Sequence, residues 1–134
     1  MDAPGPASVG VVTDRLRLVG MRECHLASHA RLCADPETMR FVGAGRALSH
    51  GEAMALERVM LDHWARLGYG PLMIETLDGG ELIGRTGRWH PPDWAEPELV
   101  WLLGRSWWGQ GYAMEAVQAA RRIARAACRP EAFG

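Results

Sequence analysis

Glu98-Leu-Val-Trp-Leu-Leu-Gly-Arg-Ser-Trp-Trp-Gly-Gln-Gly-Tyr-Ala-Met-Glu-Ala116 holds the transition on which the fold turns. Residues 98–103 form a short, strongly apolar run of strand type, and a helical pattern runs from about Tyr112 to Ala127. Between them lies Gly109-Gln-Gly111. The first turn of a helix leaves its N–H groups without intrahelical partners, and the aligned peptide dipoles add partial positive charge there. A strand that passes through Gly-x-Gly into a helix can therefore hold a phosphate without any basic side chain. Small residues serve such a turn either because a Cβ would block close approach or because φ is positive. Gly109, Gly111 and Ala113 meet that need. A Walker A loop requires a lysine, and the chain has none; a dinucleotide fingerprint wants a small residue where Met114 stands. A turn that only swings a strand into a helix has the same local spelling.

Working back toward the N-terminus, Arg15-Leu-Arg-Leu-Val-Gly-Met21 alternates as a half-buried strand does. A helix over Glu23 to Ala34 places Leu26, Ala30 and Cys33 on one face and stops at Asp35-Pro36. Ser49-His-Gly-Glu52 spells a capping box for a second helix. Ala53, Leu56, Met60, Trp64 and Leu67 form its apolar stripe, with Arg58, Asp62 and Arg66 opposite. Leu72 to Leu77 and Glu81 to Trp89 flank Asp78-Gly-Gly80 as a hairpin. His90 to Pro97 is a loop. In the last helix Ala113, Val117, Ala120, Ile123, Ala124 and Ala127 form the apolar face, and Glu115, Gln118, Arg122 and Arg125 the polar one; Arg129-Pro130 stops it. Residues 1–12 read as a flexible tail, and 13–134 as one α+β domain of order β-α-α-β-β-β-α.

Composition narrows the function. At 134 residues, 48% apolar and 23% charged, the chain suits one globular domain. A net charge of −1 gives no case for a nucleic acid or an anionic membrane surface. Three cysteines without Cys-x-x-Cys spacing suggest a reducing compartment, and nothing resembles a secretory leader or membrane span. A cytoplasmic location is expected. His25, His29 and Cys33 follow one another at helical spacing with Cys24 beside them, but they make no convincing closed metal site, so no metal is expected.

Leu102 to Ala116 closely resembles the cofactor motif of the GNAT superfamily, Arg/Gln-x-x-Gly-x-Gly/Ala, in the branch that includes ribosomal-protein alanine N-acetyltransferases. Trp108 takes the first position of the motif, and Gly111 and Ala113 the small ones. Thr13-Asp-Arg-Leu-Arg-Leu18, Asp35-Pro-Glu-Thr-Met-Arg-Phe-Val42, Gly80-Glu-Leu-Ile-Gly84 and Glu98-Leu-Val-Trp-Leu102 resemble other segments of that branch, in order. The resemblance implies a mainly antiparallel sheet flanked by helices. It also implies acetyl-CoA as cosubstrate and a primary amine as acceptor, either a protein or peptide N-terminus or a small amine.

By position in the motif, Leu102 and Leu103 would line the pantetheine arm, and Trp108, Gly109, Gln110, Gly111, Tyr112 and Ala113 the pyrophosphate. Glu98 is the first candidate for general base and His90 the second. Trp89 and Trp94 are candidates to shape the acceptor site. The sequence ends at Gly134, where family members continue into a final β-α-β-β segment. The expectation is an incomplete domain whose strand 98–103 is an exposed edge, open to pairing with a second copy or a complementing chain. A catalytically weak CoA-binding or interaction module is the alternative reading.

Overall fold

The structure, a computed structural model, describes residues 10–127, with side chains through residue 123. Five strands lie side by side in chain order: β1 (Gly10–Val12), β2 (Leu16–Gly20), β3 (Pro71–Thr76), β4 (Leu82–Trp89) and β5 (Glu98–Leu103). Every neighbouring pair is antiparallel. The helices are α1 (Leu26–Cys33), α2 (Pro36–Met39), α3 (His50–Leu67) and α4 (Tyr112–Ala127). This is the α+β architecture expected, with β1 and α2 added. Val11 pairs with Leu18, so residues 10–12 belong to the sheet and not to a tail. Residues 1–9 lie outside the described residues, as do the helix stop at Arg129-Pro130 and the side chains of Ala124, Arg125 and Ala127.

Local chemistry explains most boundaries. The α3 capping box is complete: Glu52 N–H donates to Ser49 Oγ (3.1 Å) and Ser49 N–H to Glu52 Oε1 (2.9 Å). Arg46 also holds Glu52, and its hydrogen bond is the main reason that carboxyl is drawn down to about 2. Asp35-Pro36 reads as a stop but also starts one more turn. The Asp35 carboxylate accepts from Glu37 N–H (3.2 Å) and Thr38 Oγ1 (2.6 Å), while proline occupies the first helical position. The β3–β4 connection runs over residues 77–81, longer than the three-residue turn expected. Thr76 closes it by donating from its own N–H to Glu81 O (2.9 Å).

Residues directly opposite one another in an antiparallel pair share a face. Met73, Arg85 and Leu102 form one row across β3, β4 and β5, and Leu18, Ile74, Gly84 and Leu103 the next. Arg85 faces His29 of α1, so the first row looks toward α1 and α3. The second row looks away from them, where α4 packs on β2 and β4. Ala116, Ala119 and Ala120 are the fully buried seam of α4, and their small size seats the helix close to the sheet.

Three faces differ from expectation: in α4 the buried seam takes in Ala116 and Ala119, outside the expected stripe, while Ala113, Val117 and Ile123 are only partly covered. In α1, His29 and Cys33 are fully buried, and His25 just before the helix is 4% exposed, whereas Leu26 and Ala30 are only partly covered. In α3, Glu57 and His63 are buried with Ala53, Met60 and Trp64, while Leu67 is exposed. Periodicity locates a buried stripe by its apolar members and passes over polar ones that find partners inside.

Candidate functional site

The Gly109–Gly111 turn follows β5 and opens a cavity of about 640 Å³. Its glycines have φ of +78° and +83°, the left-handed region that costs other residues steric strain. Space is not the constraint: a Cβ at Gly109 would meet nothing within 4 Å, and one at Gly111 only the Arg15 guanidinium at 3.4 Å. The N–H groups of Gly109 and Gly111 have no backbone partner among the described residues. Those of the first α4 turn add to them, and the set can hold an anionic group.

Leu102, Leu103, Trp108, Gly109, Gly111, Tyr112 and Ala113 all line this cavity, together with Phe41, Val42 and Trp101. Gln110 does not. Its amide donates to Ser106 O (3.2 Å), and its carbonyl accepts from Arg15 Nη1 (3.0 Å). Trp108 is pinned by its indole N–H on Leu103 O (2.7 Å).

A clamp from the connection between β1 and β2 holds the turn. Arg15 donates through Nε to Glu115 Oε1 (2.8 Å), and its guanidinium stacks on Tyr112 at 4.0 Å from the ring centre. Glu115 also accepts from Arg15 N–H (3.0 Å) and from Thr13 Oγ1. Burial pushes the Glu115 carboxyl up, but these hydrogen bonds outweigh it and hold the group below its ordinary value. The polar face expected for α4 is thus, at Glu115, the anchor between strand and helix. Only the fold could reveal this, because the partners are 100 residues apart.

A second cavity, of about 430 Å³, lies beside the first, and Phe41, Val42 and Trp101 line both. Trp89, Trp94, Met60 and Leu56 supply its apolar wall. Trp89 is stacked on His63, with centroids 4.7 Å apart and planes at 20°. His63 is itself fixed: Nδ1 lies 2.8 Å from Tyr69 O, and Nε2 accepts from His90 N–H at 2.9 Å. A carbonyl can only accept, so Nδ1 carries the proton and the ring is neutral. Burial lowers its pKa accordingly.

The two base candidates stand in different settings. Glu98 opens β5 opposite Trp89, exposed, and on the same face as Val100, which lines the second cavity. His90 lines neither cavity. Its Nε2 lies 2.9 Å from Trp94 O and its Nδ1 3.5 Å from Tyr69 Oη, so both ring nitrogens brace the 90–97 loop. The histidines in and just before α1 turn to protein partners: His25 to Glu75 (3.0 Å), and His29 to Glu57 (2.7 Å) and Arg85 (2.6 Å). Nothing in the local sequence marked Arg85 or Glu57. Each reads as an ordinary charge until α1, α3 and β4 meet.

Residues 15–132 match the family model of the GNAT acetyltransferase domain. Among solved structures, an acetyltransferase from Agrobacterium tumefaciens is 32% identical with a TM-score of 0.74, over 87% of this chain and 67% of its own. A GNAT-family acetyltransferase from Bacillus anthracis shares the fold at 15% identity and a TM-score of 0.70, over 92% of this chain and 75% of its own. A Vibrio cholerae protein assigned as a ribosomal-protein-serine acetyltransferase does so at 18% identity and a TM-score of 0.62, over 86% of this chain and 65% of its own.

Proposed function

The chain belongs to the GNAT acetyltransferase family, and on that premise we propose that it transfers an acetyl group from acetyl-CoA to a primary amine by direct attack. One observation carries this reading. The cavity headed by the open N–H groups of Gly109 and Gly111 meets a second cavity at Trp101, so an anionic cosubstrate and an acceptor could lie end to end. The turn and the start of α4 would hold the pyrophosphate, and Leu102, Leu103 and Trp108 the pantetheine arm. Acetyl-CoA supplies the activated acetyl: the amine nitrogen forms the new C–N bond as the C–S bond breaks, and the thiolate leaves and takes up a proton.

The amine must arrive neutral. An α-amino group has a pKa of about 7.7–8.0 against about 10.4 for lysine, so it needs less help from a base. Glu98, which shares a strand face with the cavity-lining Val100, is the candidate to take that proton, directly or through water. His90 serves to hold the loop that carries Trp94. The acceptor class covers protein or peptide N-termini and small amines, and the net charge of −1 still argues against nucleic acid. Among the described residues no helix is long and apolar enough to cross a membrane, and a cytoplasmic site suits a reaction that draws on acetyl-CoA. Strand β5 is the outer strand of the described sheet, with Trp101 53% exposed, and its free edge suits pairing with a further strand from a second copy or complementing chain.

Calorimetric titration with CoA tests the cofactor reading. Saturable binding is expected, weakened at least tenfold by Gly111→Val; no binding, or binding untouched by that change, would sink it. Acetylation of an amine panel, read by mass spectrometry, then tests transfer. In that assay Glu98→Gln lowers kcat by about 100-fold with little change in KM for acetyl-CoA if Glu98 is the base.

A further inference from the structure

Among the described residues, Arg85 is the arginine held furthest from solvent. It sits in the middle of β4, 8% exposed, and lines the second cavity. Its bonding pattern can be worked out from chemistry alone. A guanidinium has donors and no acceptor, so at 2.6 Å from Arg85 Nη1 the Nε2 of His29 must accept. The proton of His29 is then on Nδ1 and is donated to Glu57 Oε2 at 2.7 Å. Cys33 Sγ lies 3.7 Å from the same Nη1. Burial, followed by the Arg85 charge, holds His29 neutral, with its pKa lowered to about 3.

All hydrogen bonds that Arg85 makes among the described residues leave from Nη1. Its Nε–H and Nη2–H donors have no partner there, yet the side chain lies against a cavity. The only other charged residue lining that cavity is Arg46, and no carboxylate lines it among the described residues. Glu57 balances Arg85 from behind, through the imidazole, and leaves the cavity side open. The remaining walls are apolar and aromatic, including Trp89, Trp94 and Trp101. A cation with free, parallel donors at the base of an aromatic slot matches a carboxylate in charge and in fork geometry.

We propose that Arg85 is the anchor for an acceptor that carries a carboxylate on an apolar or aromatic body as well as its amine. Its carboxylate takes the Nε and Nη2 donors, its body lies among the tryptophans, and its amine points toward Trp101, where the cavities meet. This rests on the acetyltransfer reading in placing the acceptor there. Two sources offer that chemistry: a free amino acid through its α-carboxylate, and a peptide N-terminus through an acidic first side chain.

The test needs no cosubstrate, because Trp89, Trp94 and Trp101 report occupancy by their fluorescence. The full-length chain is titrated with phenylalanine, phenylalaninamide and phenethylamine, and with the Glu-Phe-amide and Gln-Phe-amide dipeptides. The expected result is at least tenfold tighter binding of a carboxylate-bearing probe than of its counterpart without the carboxylate. Preference for phenylalanine assigns the free amino acid; preference for Glu-Phe-amide over Gln-Phe-amide alone assigns the peptide. Arg85→Met should abolish the preference and Arg85→Lys retain part of it. Equal binding within each pair, no saturable binding by any probe, or a preference that survives Arg85→Met would overturn the proposal. If Arg85→Met does not fold, the paired probes on the unaltered protein still decide. CoA titration on the same sample separates the two ideas: CoA bound without carboxylate preference removes the anchor and keeps the acetyltransfer reading.

Discussion

The glycine turn and the Arg85 cluster line adjoining cavities and are built in opposite ways. At the turn the working atoms are backbone N–H groups, and side chains matter because two positions must take φ near +80°. Around Arg85 the working atoms are all side-chain atoms, drawn from α1, α3 and β4, each occupying the donor or acceptor its neighbour requires. The turn comes from a few consecutive residues and has a clamp, Arg15 and Glu115, to hold it. The cluster spans residues 29 to 85 and has no redundancy. One region can therefore fail locally, while the other fails together with the packing of the domain.

That contrast can be broken most severely at Glu57. Glu57→Ala removes the distant carboxylate that balances a buried guanidinium, and about 3–5 kcal/mol of stability should go with it, as urea unfolding would reveal. A loss below about 1 kcal/mol would mean that Arg85 is balanced by solvent and that the cluster is no unit.

Acidification probes the same region with a defined sign. His29 titrates at about 3 in the folded chain and near 6.5 when unfolded. Between those values the unfolded chain binds the proton that the folded chain refuses, so stability falls as pH falls through that window. From pH 7 to pH 4 the contribution of His29 is about 3 kcal/mol. His63, also lowered by burial, acts in the same direction. Glu57 acts in the opposite one, because burial raises its folded pKa and protonation then favours the folded state as pH drops. Unfolding in urea at stepped pH should show the net loss, and His29→Gln should flatten the slope; an unchanged slope would remove His29 as its source.

Changes at the turn should be smaller in stability and larger in binding. Gly111→Val places a β-branched residue at φ +83°, at a cost of about 1–3 kcal/mol, and CoA binding should fall by more than the stability loss explains. Glu115→Gln weakens the charge-assisted hydrogen bonds to Arg15 and Thr13, costing about 1 kcal/mol. Its CoA affinity should drop only a few-fold, since the turn keeps its own φ angles. A loss as large as that of Gly111→Val would mean that the clamp, and not the backbone conformation, shapes the site.

The elements were legible in the sequence wherever the cause was local. The capping box at Ser49 and Glu52, the alternation in Leu16–Gly20, the apolar run 98–103 and the start of α4 at Tyr112 each depend on residues within one or two turns of one another. Asp35-Pro36 was ambiguous because the same pair that ends one helix caps and opens the next. Residues 10–12 look like a tail because a three-residue strand carries no period of its own and exists only against β2. Among the cavity-lining residues, Phe41 and Val42 sat inside a segment that could be aligned to the family but had no visible task.

What the sequence determined by itself was the order of elements, the glycine turn and its fitness for an anion, because φ preference and unpaired helix N–H groups are properties of adjacent residues. Tertiary structure alone decided the rest. His25, His29 and Cys33 share a helical spacing that suits a metal as well as a core, and spacing cannot say which atoms will face them. The sheet brought Glu75 to His25 and Arg85 to His29, while α3 brought Glu57. A buried polar group takes its role from the partner that satisfies it, and here those partners are supplied by segments 28 to 56 residues away.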